Sequence, residues 1–357
     1  MRELSPAIAL LLAMLIDRCL GEPPVRLHPV VWMGNYLGWA GQRVQRVALQ
    51  MALGELPSLP AGAASEVLKP VPDYKSFWLA ALYWTVGAAL FSIVFWWLQS
   101  TVLQTGWVPI GLSIADAGAG LPAALKTLVA VTLLALLLKP MLAWTMLKNE
   151  VLAVDAALAQ SLDAGRARLS WLVSRDTAAL TETQVRESAI ESLAENLNDS
   201  VVAPIFWFVL LGLPGAALYR FANTADAMWG YKGVYKGQNW AWAGKWAARA
   251  DDVLNWLPAR LTGVTLALLG GINLRALHRE AAKTPSPNSG WPMAAMALAL
   301  NIRLGKPGVY TLNPGGDAAG RQDTRRAIAY ASKVLLALIP CALAAIIVIA
   351  IFGAGQA

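Results

Sequence analysis

The stretch ESAIESLAENLNDSVVAPIFWFVLLGLPGAALY, residues 187–219, joins a ladder of acidic side chains directly to an apolar run. Four carboxylates recur in it at a spacing of four residues: Glu187, Glu191, Glu195 and Asp199. That spacing places them on one face of a helix, and ionisable groups at the edge of a membrane-like segment are costly and usually functional. We therefore expect the rest of the chain to be arranged around this junction.

The composition indicates a protein that crosses a membrane several times. Of its 357 residues, 57% are hydrophobic and 14% are charged, whereas soluble domains are about 25% charged. We predict an all-α, polytopic integral membrane protein with about four to six membrane helices of roughly 20 residues each, and amphipathic helices on the cytoplasmic side. The net charge of +7 fits basic cytoplasmic loops, and no basic tail or recognition motif suggests nucleic acid.

The chain is predicted to form one membrane-embedded domain, residues 1–357, without internal repeats. Apolar segments predict helices over residues 4–20, 77–98, 125–147, 253–272 and 328–352. The Pro- and Gly-rich residues 54–75 predict a flexible loop, and residues 99–121, which lack Lys and Arg, predict a periplasmic loop. Cys19 and Cys341 lie in apolar runs, where we expect buried free thiols.

Residues 148–200 predict cytoplasmic amphipathic helices, because apolar residues recur at helical spacing between clustered basic residues. Gly165 is a candidate C-cap for the first of them. Thr181 and Gln184 have the spacing of a capping box that opens the next helix. Cytoplasmic helices here would present the acidic ladder to the inner face of the membrane.

The apolar residues 201–219 pose a topological problem, because Pro204, Gly212 and Pro214 interrupt them. A full crossing would place the basic loop that follows in the periplasm, against the positive-inside rule. We favour a broken or re-entrant segment that is buried in protein and keeps this loop in the cytoplasm. The full crossing remains the alternative.

Two further polar clusters follow this segment. Asn223 and Asp226 form the first, and Asp251, Asp252 and Asn255 form the second. Carboxylate and amide oxygens suit Mg²⁺, which usually takes one or two carboxylates together with substrate phosphates. The alternatives are a solvated polar face for the ladder and a helix N-cap for the second cluster. No Walker-type phosphate loop is present, so a nucleotide would be held through metal, Lys and Arg contacts.

One histidine and several loop tryptophans are further candidates. His28 lies in a Pro-rich turn after Glu22 and is either a proton carrier or a structural cap. Five tryptophans fall in predicted loops and could stack on a large planar ligand: Trp229, Trp240, Trp242, Trp246 and Trp291.

Taken together, several strings resemble a known family. They are ESLAEN with DSVVAP (191–204), NTADAM with GYK (223–232), DD, N and PARLT (251–262), GEP with HPV (21–30), and SPNSGWP (286–292). The chain is similar to the adenosylcobinamide-phosphate synthase family, CbiB/CobD, of cobalamin biosynthesis. It departs from the family's pattern at Glu22, where Asp is commoner, at Ser174, where Gly is usual, and at Met293, where an acidic residue is common.

The resemblance implies an enzyme of the bacterial cytoplasmic membrane whose active site faces the cytoplasm. It would join aminopropanol, as its O-phosphate, to the propionate of adenosylcobyric acid, with ATP as co-substrate, Mg²⁺ as cofactor and the corrinoid as substrate. The sequence leaves open whether the amine is phosphorylated, and whether it is aminopropanol or ethanolamine. The implied partners are these substrates, the lipid bilayer and a complex with the downstream cobalamin synthase, and no nucleic acid.

The resemblance also assigns candidate roles. Candidate metal ligands are Asp199, Asp226, Asp251 and Asp252. Candidate catalytic residues are Glu191, Glu195, Asn196, Asp199 and His28, the glutamates serving either Mg²⁺ or the substrate ammonium. Candidate substrate- and phosphate-binding residues are Arg175, Asn223, Lys232, Arg249, Asn255, Arg260 and Asn288.

Two other classes compete with the enzyme. A non-catalytic signalling relative would keep the scaffold but lose acids from the three clusters, and here those acids stand together. A cation-coupled transporter would also use intramembrane carboxylates, but it predicts inverted repeats. We therefore favour the enzyme.

Overall fold

The computed structural model describes residues 5–54, 72–105 and 123–354, and the regular structure in them is almost entirely helical, as predicted. The first helices are α1 (Ser5–Leu20), α2 (Pro29–Gly54), α3 (Tyr74–Thr105), α4 (Ala123–Leu138), α5 (Trp144–Leu158) and α6 (Leu162–Leu169). The others are α7 (Glu182–Leu197), α8 (Ala203–Trp229), α9 (Lys245–Leu269), α10 (Leu274–Ala281), α11 (Gly290–Leu300) and α12 (Arg321–Ala354). Most of the predicted flexible loop and of the predicted periplasmic loop lies outside the described residues.

Two small antiparallel hairpins complete the described structure. The strands β1 (Val234–Tyr235) and β2 (Gln238–Asn239) form one, and β3 (Leu304–Lys306) and β4 (Tyr310–Leu312) form the other. In the first hairpin Lys236 and Gly237 both have positive φ, which a tight two-residue turn of this kind requires.

Four helical stretches in the described residues are long and apolar enough to cross a membrane: Tyr74–Leu103, Ala124–Leu158, Glu182–Trp229 and Arg321–Ile349. The first and last have windows that are only 28% and 17% buried within the protein, so their apolar faces point outward, as those of lipid-facing helices do. The prediction of an all-α polytopic membrane protein is therefore confirmed.

The chain reverses within α8 at Gly212. Its φ of 69° and ψ of −156° are not helical, and a Cβ there would lie 2.5 Å from Oε1 of Gln99. Nη1 of Arg220 lies 3.2 Å from the carbonyl oxygen of Asp199, whereas 21 residues of continuous helix would span roughly 32 Å. The two halves of α8 thus form a helical hairpin whose ends meet, and the prediction of a broken segment is confirmed.

The apolar stretch predicted over residues 125–147 lies within the candidate membrane span Ala124–Leu158, and a turn divides that span into α4 and α5. Residues Lys139–Met141 form a 3₁₀ turn between α4 and α5. The Ala143 N–H then donates to the carbonyl of Ser200 at 3.0 Å, which ties the break to the end of α7. Pro140 lies in this turn and cannot donate an α-helical hydrogen bond, and Lys139 beside it is 3% exposed.

Three smaller predictions concern caps and cysteines. The capping box of Thr181 and Gln184 is confirmed. The predicted C-cap at Gly165 is wrong, because this residue lies inside α6, where a Cβ would meet the side chain of Leu158 at 2.4 Å. The prediction of buried thiols is also wrong, since Cys19 and Cys341 are both free and exposed on their helices.

Helix α7 lies at the centre of the molecule rather than on its surface. It packs against α5, α11 and α12, while α8 packs against α2, α3 and α9. Glu187 and Glu191 are each 4% exposed, so a solvated face does not explain these two acids of the ladder. The first acids of the ladder are therefore buried in the protein, and its last member, Asp199, lies where the turn after α7 meets α8 and α9.

Candidate functional site

A wide π-helical turn, Asn198–Val202, links α7 to α8. Such turns recur at functional sites because they interrupt the regular helical ladder. The buried Asn198 amide donates to Oδ1 of Asp199 at 2.8 Å and to Oδ1 of Asn255 at 2.7 Å. The Thr262 hydroxyl donates to Oδ1 of Asn198 at 3.0 Å. The turn is thereby fixed to α9.

Asn255 is the centre of this arrangement. Its Nδ2 donates to Oδ1 of Asp199 and to Oδ2 of Asp251, each at 3.1 Å. Its Oδ1 accepts from Asn198 and from the hydroxyl of Tyr219 at 3.0 Å. Both donors and the acceptor of this amide are thus engaged. We call Asn198, Asp199, Tyr219, Asp251 and Asn255 the Asn255 network.

Asp251 lies inside α9, which begins at Lys245, so a helix N-cap does not explain it. Nδ2 of Asn223 approaches its Oδ1 at 3.4 Å. Burial, reinforced by the charges of Asp199 and Asp226, raises the pKa of Asp251 well above its ordinary value. The network therefore contains an acid, Asp251, whose ionised form is unfavourable when no cation is bound beside it.

Five carboxylates around this junction share one property: none of them makes an ion pair with any residue in the described part of the chain. They are Glu195, Asp199, Asp226, Asp251 and Asp252. Asp226 lies within electrostatic range of Asp199 and Asp252. Asp251 is buried and the other four are half-buried. Carboxylates removed from water without a counter-charge are costly, so their concentration here favours a bound cation or cationic substrate.

A second arm of the site joins Asp252 to Arg260 through Asn288. The Asn288 amide donates to the carbonyl of Asp252 at 2.8 Å, and its oxygen accepts from Nη1 of Arg260 at 2.9 Å. The guanidinium of Arg260 lies over the ring of Trp291, 5.1 Å from its centroid. Burial raises the pKa of Asp252, and the charge of Lys232 opposes that shift. Asn288 therefore brings Asp252 and Arg260 together.

A third arm surrounds Glu191. Nη2 of Arg175 donates to its Oε2 at 2.7 Å, and the hydroxyl of Tyr310 donates to its other oxygen. Burial, together with the neighbouring Glu191 charge, raises the pKa of Tyr310, so the phenol remains a donor. Arg303 similarly lies 3.4 Å from Glu187. Unlike the five carboxylates above, these two glutamates have counter-charges.

Some predicted site residues lie elsewhere. Arg249 is exposed on α9, and the structure shows no side-chain hydrogen bond or ion pair for it with the described residues. Lys232 is exposed and reaches the site only through its charge near Asp252. The Asn196 amide donates to the carbonyl of Ser192 on its own helix at 3.0 Å.

His28 belongs to a different cluster. Its Nε2 lies 3.3 Å from Glu22 and its Nδ1 accepts the N–H of Val30 at 3.3 Å. Nζ of Lys139 lies 2.6 Å from the same Glu22 carboxylate and 3.4 Å from Asp17. We call Asp17, Glu22, His28 and Lys139 the Lys139 cluster. Both ring nitrogens of His28 are engaged, which favours the structural interpretation over the proton carrier.

Sequence reasoning missed two cations. Lys139 could have been found as a lone charge inside a long apolar run. Arg220 was interpreted only as a loop charge, yet it lies within electrostatic range of Asp199, Asp251 and Glu22, and its buried Nε has no hydrogen-bond partner among the described residues. Tyr219, its neighbour, shows no polar pattern in the sequence.

The tryptophans predicted to stack on a planar ligand mostly pack on the protein itself. Trp229 and Trp240 stack on each other, with centroids 5.7 Å apart, and both are buried. Trp246 packs against Trp84, and Nζ of Lys245 covers Trp242 at 3.1 Å. For these four the structure favours a packing role, and Trp291 alone lies beside the acidic site.

Comparison with known proteins assigns the chain to a family. The model of the family described as CobD/Cbib protein matches residues 10–338. The chain belongs to the CobD/Cbib family. A similar protein from Methanothermobacter thermautotrophicus, named probable cobalamin biosynthesis protein CobD, is 37% identical over 93% of this chain and 95% of its own. The cobalamin biosynthesis protein CobD of Chromobacterium violaceum is 37% identical over 85% of this chain and 82% of its own.

A third CobD/Cbib relative comes from Halalkalibacterium halodurans. It is named cobalamin biosynthesis protein CobD and is 33% identical over 92% of this chain and 88% of its own. No solved structure matches the chain. The resemblance predicted from the sequence motifs is thereby confirmed, and it extends over most of the chain.

Proposed function

We propose that this CobD/Cbib protein acts in cobalamin biosynthesis as a membrane enzyme that forms an amide bond. Its substrates would be the propionate of adenosylcobyric acid and aminopropanol, as its O-phosphate, with ATP as the source of energy. The observation that carries the proposal is the group of five carboxylates without ion pairs at the junction of α7, α8 and α9. The names of the relatives support the pathway.

The donor set fits Mg²⁺ bound together with a nucleotide. No group of three or more His, Cys, Asp or Glu side chains in the described residues could hold a metal ion unaided. Mg²⁺ commonly takes only one or two protein carboxylates and completes its shell with phosphate oxygens and water. One or two of Asp199, Asp226, Asp251 and Asp252 would hold it. When bound, it would neutralise charge on the phosphates of ATP.

The first chemical step activates the propionate. One of its oxygens attacks the terminal phosphorus of ATP, the bond from that phosphorus to ADP breaks, and an acyl phosphate forms. The chain's part is to position the reactants and balance their charge. Arg220 and Arg260 would take this role, and the contact of Arg220 with the carbonyl oxygen of Asp199 and the Asn288 bridge from Arg260 to Asp252 support it.

The second step forms the amide. The neutral amine attacks the acyl carbon, the carbon–oxygen bond to phosphate breaks, and the nitrogen loses one proton as inorganic phosphate leaves. The amine enters as an ammonium ion and must first give up another proton, for which the nearby carboxylates supply acceptors. The Asn255 network keeps those carboxylates in place, because each donor of the Asn255 amide holds a different aspartate.

The test uses the full chain in detergent with adenosylcobyric acid, Mg·ATP and aminopropanol phosphate. Mass spectrometry should show the amide, with one ADP released per amide formed. Asp252→Ala should abolish both products, whereas the control Asp323→Ala, which removes an acid paired with Arg326 on α12, should retain them. A folded wild-type protein that neither binds the corrinoid nor turns over would favour the signalling relative instead.

A further inference from the structure

A polar cavity of about 330 Å³ lies next to the acidic site. Its walls come from α7, from residues 172–175, from the loop before α11 and from the β3–β4 hairpin. Glu195 lines the cavity and also lies within electrostatic range of Asp199 and Asp226. The cavity thus opens beside the carboxylates to which we assign the chemistry.

Arg175 lines this cavity and has one side-chain donor without a partner among the described residues. Its Nη2 pairs with Glu191 at 2.7 Å, and its Nη1 is buried without a hydrogen-bond partner in the described structure. A buried guanidinium nitrogen without an acceptor is unfavourable by roughly 1–3 kcal/mol or more. An anionic group of a ligand would satisfy it. The exposed Lys306 lies on the wall of the same cavity and has no ion pair with the described residues.

Glu195 presents a carboxyl group one helical turn away. This group has no hydrogen-bond donor and no ion pair among the described residues, although Glu195 lines the cavity and Arg175 lies within its electrostatic range. Because Glu191 and Glu195 are four residues apart on α7, their Cβ atoms are separated by about 6 Å. The cavity therefore offers a cation site and an anion site about one helical turn apart.

The O-phosphate of an amino alcohol with its amine and hydroxyl on adjacent carbons carries one cationic and one anionic group, which match these two sites. Its ammonium nitrogen and its phosphorus are joined through two carbons and an ester oxygen, a span of roughly 5 Å for bonds near 1.5 Å. A cavity of 330 Å³ is at the small end of ligand sites, so it suits this amine and is too small for a corrinoid ring.

We propose that this cavity is the amino-alcohol subsite, in which Arg175 binds the phosphate and Glu195 binds the ammonium group. This inference rests on the proposed function. It assigns the selection of the amine substrate to two of the candidate site residues. Arg175 and Glu195 are then specificity determinants. The phosphorylated amine is preferred over the free one, because its phosphate is an anionic acceptor for Nη1 of Arg175 and the free amine carries no anion. Glu195 holds the amine nitrogen on the side that faces Asp199.

The test measures binding and turnover separately in the full-length protein. Binding of aminopropanol phosphate and of free aminopropanol is titrated calorimetrically without ATP or corrinoid. Arg175→Gln should weaken binding of the phosphorylated amine by about 10- to 100-fold, the range of a charge-assisted hydrogen bond, and leave the free amine unchanged. Glu195→Gln should weaken both amines. Arg168→Gln is the matched control, because Arg168 pairs with Glu150 away from the cavity.

Steady-state kinetics separates failure of the subsite from failure of the reaction. In an active wild-type enzyme, Arg175→Gln should raise KM for the amine phosphate and leave KM for ATP unchanged. A raised KM for ATP alone, or an unchanged KM for the amine in both variants, would overturn the subsite while the reaction stands. Wild-type binding of the amine phosphate that Arg175→Gln abolishes, without any amide formed, would support the subsite and overturn the proposed reaction.

Discussion

The Lys139 cluster and the Asn255 network both hold acidic side chains away from water, but they hold them with different kinds of partner. In the first, Asp17 and Glu22 have a lysine between them, and that lysine is 3% exposed. In the second, Asp199 and Asp251 are held by the amide of Asn255, which carries no charge. The acids of the first group share a cation, whereas those of the second are positioned without one in the described part of the chain.

This difference indicates that the first group serves mainly folding and the second mainly function. A buried ion pair adds little net stability, but removal of one partner leaves a costly isolated charge. The Lys139 cluster should therefore matter mainly for folding. Uncompensated carboxylates fixed by neutral donors lower stability unless a cation joins them, so the Asn255 network should matter mainly for binding and catalysis.

The largest expected effect comes from Lys139→Met, which leaves Asp17 and Glu22 without their cation. We expect a loss of about 3–5 kcal/mol in the free energy of unfolding, measured by thermal unfolding in detergent. Lys333→Met, at an exposed position on α12, is the control and should change stability little. A stability of Lys139→Met within about 1 kcal/mol of wild type, outside the expected range, would contradict the structural assignment of this cluster.

Asp199→Asn should show the reverse pattern. Because it removes one of several like charges without changing side-chain shape, thermal stability should stay level or rise. Amide formation should fall by about 10²- to 10³-fold, the usual effect of losing one electrostatic contact to a reacting group. Product analysis on equal amounts of folded protein measures this loss. Full activity in Asp199→Asn would remove this carboxylate from the site.

The sequence was sufficient to predict the acids and the central amide of the Asn255 network. It was insufficient to predict the buried cations. Spacing and context identified Asp199, Asp251 and Asn255, because polar groups next to apolar runs stand out. Lys139 and Arg220 were missed, since nothing local shows which distant acid a cation will meet. Their positions depend on the reversal at Gly212 and on the break at Lys139–Met141.

The same distinction explains the errors in local structure. Apolar length predicted the span through residues 125–147 but not the turn at Lys139–Met141, because hydropathy does not register a buried ion pair. Glycine at 165 was predicted to end a helix, whereas it allows Leu158 to pack closely. By contrast, the capping box at Thr181 was predicted correctly, because both of its hydrogen bonds are local.

A smaller effect is the stabilisation of the protein by bound Mg·ATP, which should depend on the acidic site and not on the Lys139 cluster. At 100 times its dissociation constant, Mg·ATP should stabilise the wild-type protein by about 2.7 kcal/mol. The shift should disappear with EDTA and in Asp226→Asn, since that carboxylate is a proposed ligand. It should persist in His28→Asn, a change confined to the Lys139 cluster. An equal shift in both variants would show that Mg·ATP binds without Asp226.

The smallest effect concerns acid pH and Glu22. Burial alone would raise the pKa of this carboxyl, but hydrogen bonds with His28 and Lys139 and their charges bring it below its ordinary value. Asp17 shares the lysine, and Arg220 adds positive charge from α8. Glu22 is thus stabilised in its ionised form by groups from several elements.

A lowered folded-state pKa fixes the direction of the pH dependence. The contribution of Glu22 to stability is present above the ordinary glutamate value of about 4.3 and is lost as pH falls through the lower folded value. Glu22→Gln should therefore be less stable than wild type at neutral pH, and the difference should shrink on acidification. Thermal unfolding across this range measures it, with the exposed Glu182→Gln as control. A difference that is constant with pH would show that Glu22 acts by packing and not by charge.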